Sequence, residues 1–396
     1  MMRETISLQS ARLPALVFGP GVVQQVGEKA AQWGQRVLLI SASASFDRLE
    51  QRFGLLEILT QGDRVLVGHR RISVEPSPQQ VDEIVTEFYS QQVEVVVAIG
   101  GGSVLDAAKC IAGLLPSGDS VMEYLEGVGR GGQYQGPSIP LIAVPTTAGT
   151  GSEASMNGVL SDRQQGFKKS FRHPALIPQL ALIDPDLLVT SPPALIAANG
   201  CDALSQLLES YLSTQATPFT DSLALEAIAR IGGGLIPLWE SAGEDAAARS
   251  AVAYGAMISG ITLANAGLGV VHGLAGPIGG LFPVPHGVVC GTLLGVANRT
   301  NIEALRERDP DSVALQKYCM IGKKMALCEP SKGRSRRLDQ LSSGLMSLVE
   351  KLQIPRLREY GITESDIPRI LQHSDQKANP VVLTEREFGG IVQARI

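Results

Sequence analysis

Residues 93–99 (VEVVVAI), followed at once by Gly100, Gly101 and Gly102, constrain the fold more than any other stretch of this 396-residue chain. A run so dense in β-branched side chains suits a strand buried on both faces. The glycines force a tight exit, and residues 104–115 then show helical apolar spacing. The alternation recurs. Residues 37–41 (VLLIS), 64–68 (RVLVG), 139–144 (IPLIAV) and 180–183 (LALI) read as strands, and 79–91 reads as a helix with Val81, Ile84, Val85 and Phe88 on one face. Strand–helix alternation of this kind predicts a parallel, doubly wound sheet with helices on both faces. Past residue 190 the strand-like runs nearly cease. Helix lengths and helical spacing cover 193–213, 217–233, 245–266, 287–298, 311–327 and 335–352, and prolines punctuate the chain between 185 and 193. The expected architecture is an α/β N-terminal doubly wound domain over 1–190 and an all-α C-terminal domain over 191–396.

Composition removes several function classes. Hydrophobic residues at 44% and charged residues at 18% exclude a disordered chain. Thirty-four basic against 39 acidic residues argue against nucleic acid as a partner. Five scattered cysteines without a CxxC pair fit structural thiols in a reducing compartment. The segment MMRETISLQSARLP lacks the apolar run of a secretory signal, and no 18-residue apolar stretch is free of charges or turn signals. These features lead to the expectation of a cytoplasmic protein without a membrane span. The short basic run at 332–337 (KGRSRR) reads as a solvated loop.

Three segments carry candidate chemistry. In the first, Gly100-Gly101-Gly102-Ser103-Val104-Leu105-Asp106, glycines let backbone approach a ligand closely. The following helix start offers free N–H groups to a phosphate. Ser103 is placed to cap that helix, with Asp106 three residues on. In the second, Pro145-Thr146-Thr147-Ala148-Gly149-Thr150-Gly151-Ser152-Glu153, hydroxyls and glycines crowd the carboxyl end of another strand, where open α/β sheets bind ligands. Two such loops can wall one nucleotide crevice. The third lies in the helical half. Asp202 and Gln206 are four apart on one helix face, and His272 and His286 lie in a glycine-rich segment. One carboxylate with two imidazoles is a common set for a divalent metal. Taken singly, Asp202 could equally be a helix cap after Gly200, and either histidine a core or turn residue.

At these three segments the chain resembles the iron-containing, group III alcohol dehydrogenases. The resemblance begins at Phe18-Gly19-Pro20-Gly21 and runs through AIGGGSVLDAAK, EYLEGVG, VPTTAGTGSE, ALIDPDLL, NGCDALSQLLESY, VVHGLAGPIGG and VPHG to Lys377-Ala378-Asn379-Pro380. It implies a Rossmann-like domain joined to a helical domain in a dehydroquinate synthase-like architecture, with the site in the cleft between them. It implies NAD(H)- or NADP(H)-dependent interconversion of a small alcohol and its aldehyde or ketone on Fe2+ or Zn2+, in a homodimer. By position, Gly101, Gly102, Ser103 and Asp106 match the pyrophosphate loop, and Thr146, Thr147 and Thr150 the second cofactor loop. Lys168 matches a cofactor-contacting lysine. Ser77 stands where relatives usually carry asparagine. Asp202, His272 and His286 match three of four metal ligands and would form the catalytic core.

Two departures from the family pattern stand out. Gln206 occupies the place of the fourth ligand, usually histidine, and an amide oxygen suits Fe(II) or Zn(II) less well than imidazole. The arrangement resembles that of glycerol dehydrogenases, which hold zinc with one Asp and two His. Gly276 replaces a histidine that many relatives carry near the nicotinamide. The turn after the second strand, Ser41 to Ser45 with Ser43 at its centre, holds no acid before Asp47. Small hydroxyl residues there, with Arg48 close by, admit a 2′-phosphate and favour NADP(H); alternatively these serines cap the next helix. Three rival readings are a metal-free reductase of the maleylacetate reductase type, a lyase of the dehydroquinate synthase type, and a binding or filament role with a decayed site.

Overall fold

The computed structural model describes residues 8–73 and 75–396; the start of the N-terminal segment read above for a secretory signal lies outside them. Six strands form one parallel sheet in the order β1-β8-β5-β4-β2-β3: β1 Ala15–Phe18, β2 Arg36–Ala42, β3 Val65–Ile72, β4 Val95–Gly100, β5 Leu141–Pro145 and β8 Leu180–Ile183. Alternation along the strands divides two cores. Leu38, Ile40, Val96, Ala98 and Ala143 enter the core covered by α4 (Pro78–Phe88) and α5 (Gly102–Leu114). Val37, Leu39, Val95, Val97 and Val144 enter the core covered by α1 (Val26–Ala30), α2 (Ala44–Phe53) and α3 (Leu55–Thr60). The doubly wound sheet is thus observed as expected. Its central strands are apolar throughout because both faces are covered.

The chain leaves β2 toward β3 on one side and returns as β4 on the other, so strand order reverses between β2 and β4. The crevice outside the carboxyl ends of such a pair is where open α/β sheets take ligands. Gly100 at the end of β4 stands in register with Pro145 at the end of β5, and the Thr146 N–H donates to the Gly100 carbonyl at 3.0 Å. Both candidate loops therefore start side by side.

The sequence reading missed a two-stranded antiparallel hairpin, β6 Asn157–Asp162 and β7 Phe167–Arg172. Its strands carry Lys168, Lys169 and Arg172 among few apolar residues, so the apolar signal is weak. The turn is held by Asp162, whose carboxylate accepts from the Gln164 and Gln165 N–H groups at 2.9 and 3.0 Å.

From Pro193 onward the described structure is helical: α6 Pro193–Leu212, α7 Pro218–Glu240, α8 Ala246–Ala266, α9 Val270–Leu281, α10 His286–Arg308, α11 Val313–Lys324, α12 Arg334–Lys351, α13 Ile367–Gln372 and α14 Glu385–Gln393. One apolar core, including Leu204, Leu207, Ile231, Ile258, Leu274 and Leu293, joins them. Among the described residues, α7 alone is a single helix long and apolar enough to cross a bilayer; it packs on α6 and α8. Helix α9 was hidden in the sequence by its glycines. The basic run at 332–337 is no loop throughout, because its last four residues open α12.

Candidate active site

Helix α6 carries Asp202, Gln206 and Glu209 on one face, at spacings of four and three residues. Asp202 lies in mid-helix, so it is not a helix cap. Each site histidine is followed by a glycine that lets its helix close on neighbouring backbone. A Cβ on Gly273 would stand 1.8 Å from the Asp375 carbonyl oxygen, and one on Gly287 would stand 2.7 Å from the Ala198 carbonyl oxygen. With these approaches α9 and α10 bring both imidazoles onto Asp202.

The resulting cluster is compact. Asp202 Oδ1 lies 3.2 Å from His272 Nε2 and 3.8 Å from His286 Nε2. Cys290, one turn beyond His286 on α10, places Sγ 3.5 Å from His272 Nε2 and 3.6 Å from His286 Nε2. The four ligand atoms all lie within 4.8 Å of one another. Asp202 is 1% exposed, and its second oxygen, Oδ2, is buried without a hydrogen-bond partner, as is His286 Nδ1. Such orphaned buried atoms are costly and ask for a partner that is not a side chain.

Glu209, which sequence reasoning did not single out, fixes the centre of the cluster. One oxygen accepts from the Val271 N–H and the other from His272 Nδ1, each at 2.6 Å. With the Nδ1 proton held by Glu209, Nε2 is the nitrogen turned to Asp202 and the one left to a cation once its own proton is released, the usual carboxylate–histidine arrangement at a metal. The signal was present as a third polar residue on the Asp202–Gln206 face. Gln206 plays a different part from the one its position suggested. Its Oε1 accepts from the Ser259 hydroxyl at 2.8 Å, and its Nε2 donates to Asp202 Oδ1 at 3.3 Å. The amide thus presents nitrogen, which has no lone pair to share, to the cluster.

Burial alone would raise the Asp202 carboxyl, but the adjacent imidazoles outweigh it and hold its pKa near 2. Burial would likewise lower His272; Cys290, Glu209 and Asp202 around it overcome that and lift it well above the imidazole range. Burial dominates at His286, pushed down to about 4, with Lys168 adding to the effect. Burial also pushes the Cys290 thiol up to about 12.

The two glycine-rich loops pack directly against each other. A Cβ on Gly101 would meet Thr147 Oγ1 at 3.0 Å, and one on Gly102 would meet Thr150 Oγ1 at 2.7 Å. Ser103 does not cap α5, because the helix starts earlier: the Gly101 carbonyl already accepts from Val104 and Leu105 N–H at 2.9 and 3.1 Å. Asp106 accepts from the Ser152 hydroxyl and pairs with Lys109 at 3.0 Å, so it fastens α5 to the second loop. Gly151 (φ +60°) touches α8 backbone: a Cβ there would stand 2.4 Å from the Gly260 nitrogen. Ser43 precedes α2 without a side-chain cap bond, whereas Ser77 caps α4 by accepting from Gln80 N–H at 3.2 Å. Lys168, on β7, is bound by Glu75, and β7 packs against α9. Thr146 is buried beside Gly100.

Comparison with known proteins places this geometry in context. Residues 14–185 match the family model described as iron-containing alcohol dehydrogenase, and residues 196–394 match the one described as Fe-containing alcohol dehydrogenase family, C-terminal. The "Probable alcohol dehydrogenase EutG" of Escherichia coli K12 is 34% identical over 77% of each chain. The NAD-dependent methanol dehydrogenase of Bacillus methanolicus is 29% identical over 96% of this chain and 97% of its own. The crystal structure of the archaeal halo-thermophilic Red Sea brine pool alcohol dehydrogenase ADH/D1 superposes with a TM-score of 0.89 at 26% identity, covering all of both chains.

Proposed function

The chain belongs to the iron-containing alcohol dehydrogenase family, and from that premise we propose that Asp202, His272 and His286 seat its divalent cation while the loops after β4 and β5 seat its dinucleotide. The protein is a metal- and nicotinamide-dependent oxidoreductase interconverting a small alcohol and its aldehyde or ketone. The side chains suit such a cation. One carboxylate and two imidazoles converge in a buried spot, and Asp202 Oδ2 lacks any other partner. This is the observation that carries the assignment. When bound, the cation supplies Lewis acidity toward the substrate oxygen and the nicotinamide exchanges the hydride.

The chain's own residues do the rest. Glu209 holds His272 Nδ1–H, so the ring cannot rotate and Nε2 stays turned toward the centre beside Asp202, where it would bind the cation on losing its proton. The α5 N-terminus, bare at Gly101 and Gly102, offers backbone N–H groups to a pyrophosphate. Thr147 and Thr150 supply the facing wall of hydroxyls. Asp106, Lys109 and Ser152 keep the two walls at fixed separation. Lys168 and Ser77 are further cofactor contacts in this assignment. We assign residues 1–190 to the dinucleotide-binding domain and 191–396 to the metal and substrate domain.

NADP(H) is the cofactor we assign. The turn at 41–45 contributes no carboxylate, and the nearest acid, Asp47, is bound by Arg71 at 2.9 and 2.6 Å. A 2′-phosphate at Ser43 would meet little repulsion there. No observation favours the metal-free maleylacetate reductase alternative.

Asp202→Ala tests the cation assignment. The expected result is loss of bound metal and a fall in kcat of ~10³-fold, the order of several kcal/mol of lost charge stabilisation. Unchanged metal content and turnover would defeat it. A parallel assay on one aldehyde should give a higher kcat/KM with NADPH than with NADH; the reverse order would remove the NADP(H) assignment alone.

A further inference from the structure

Resting on the cation reading above, we propose that Cys290 supplies the fourth protein ligand, so that the centre is Asp202–His272–His286–Cys290, with a thiolate where an imidazole would be expected at 206. Three observations converge on it. Gln206 is turned with its oxygen on Ser259 and its nitrogen on Asp202, so it offers the centre no donor lone pair. Cys290 lies on the same face of α10 as His286, one turn on, and its Sγ joins the two imidazoles and the carboxylate in one group. Asp202 Oδ2 is buried and unpartnered beside it.

The spacings agree with coordination. Near-tetrahedral zinc, which can expand to five-coordinate to take the substrate oxygen, has Zn–N and Zn–O bonds of ~2.0–2.1 Å and Zn–S of ~2.3 Å, which puts neighbouring ligand atoms ~3.3–3.6 Å apart. Four of the separations here are 3.2, 3.5, 3.6 and 3.8 Å. On ligation the S–H proton passes to solvent and the sulfur binds as thiolate. A thiolate is a soft ligand, which moves the site's preference from Fe(II) toward Zn(II).

Cobalt(II) is the probe, added to full-length protein stripped with a chelator. The expected wild-type spectrum shows a sulfur-to-cobalt charge-transfer band in the near ultraviolet, saturating at one equivalent. In Cys290→Ser the band should vanish and cobalt affinity fall at least tenfold. It should persist in Cys201→Ser, whose thiol is a buried neighbour outside the cluster, and in Gln206→Ala. The wild-type spectrum is decisive even if a variant fails to fold. One bound cobalt with visible absorption and no sulfur band would overturn the thiolate ligand and leave the cation site standing. A wild-type protein that binds no cobalt would overturn both, as would Asp202→Ala binding cobalt as tightly as wild type.

Discussion

At the residue scale, two positions have consequences outside the cluster. Glu153 is 4% exposed, and burial raises its carboxyl from 4.5 to about 7. The folded state then holds a proton that the unfolded state has released between those values. Stability is complete below pH ~4.5 and is lost as pH rises toward ~7, by ~3 kcal/mol in all. Glu153→Gln should therefore be more stable than wild type in denaturant melts at pH 8 and indistinguishable at pH 4; equal gains at both pH values would show that the carboxyl is not the cause. Gly276 lies inside α9, and nothing stands within 4 Å of where its Cβ would be. Gly276→Ala should stabilise by ~0.5–1 kcal/mol, the cost of an internal helical glycine. Thermal melts of the two proteins measure it, and a destabilised variant would mean that the space is not free.

At the element scale, the site depends on how closely α9 and α10 can approach their neighbours. Gly273→Ala places a methyl where the Asp375 carbonyl stands, so α9 must shift and carry His272 with it. Both a stability loss of ~1–3 kcal/mol and weaker metal binding are expected. Lost stability with unaltered metal affinity would show that α9 can move without its imidazole. The other fastening element is α5. Lys109 is fully buried and gives its ammonium to the Ser152 carbonyl at 3.0 Å, the Ser155 hydroxyl at 3.1 Å and the Asn157 carbonyl, as well as to Asp106. Lys109→Ala should cost ~3–5 kcal/mol, the penalty for breaking a buried pair and its hydrogen bonds. A chemical-denaturation series would show whether α5 and the second loop behave as one unit. Asp106, which the family resemblance assigns to the pyrophosphate loop, is also a strut between loops.

At the scale of the whole molecule, α6 meets the consecutive helices α9 and α10 at one point, so a bound cation would tie the three together. Stability should then depend on metal, since a ligand that binds only the folded state adds RT ln(1 + [L]/Kd). Chelation should lower the melting temperature of wild type and leave that of Asp202→Ala unmoved; a wild-type midpoint insensitive to chelator would speak against a resident ion.

Five of the six sheet strands and the positions of both loops followed from local pattern, because apolar runs and glycines act over a few residues; β1 and the order of the strands did not. The sequence also named Asp202, His272 and His286 as a candidate set, which the fold brings together. It could not show that Glu209 grips His272, that Gln206 presents its nitrogen, or that Cys290 stands beside both imidazoles. Those facts depend on helix rotation and on contacts spanning many tens of residues, which packing alone decides. The β6–β7 hairpin stayed hidden for a related reason: its few apolar side chains gain their meaning only once α5 and α9 are laid against it.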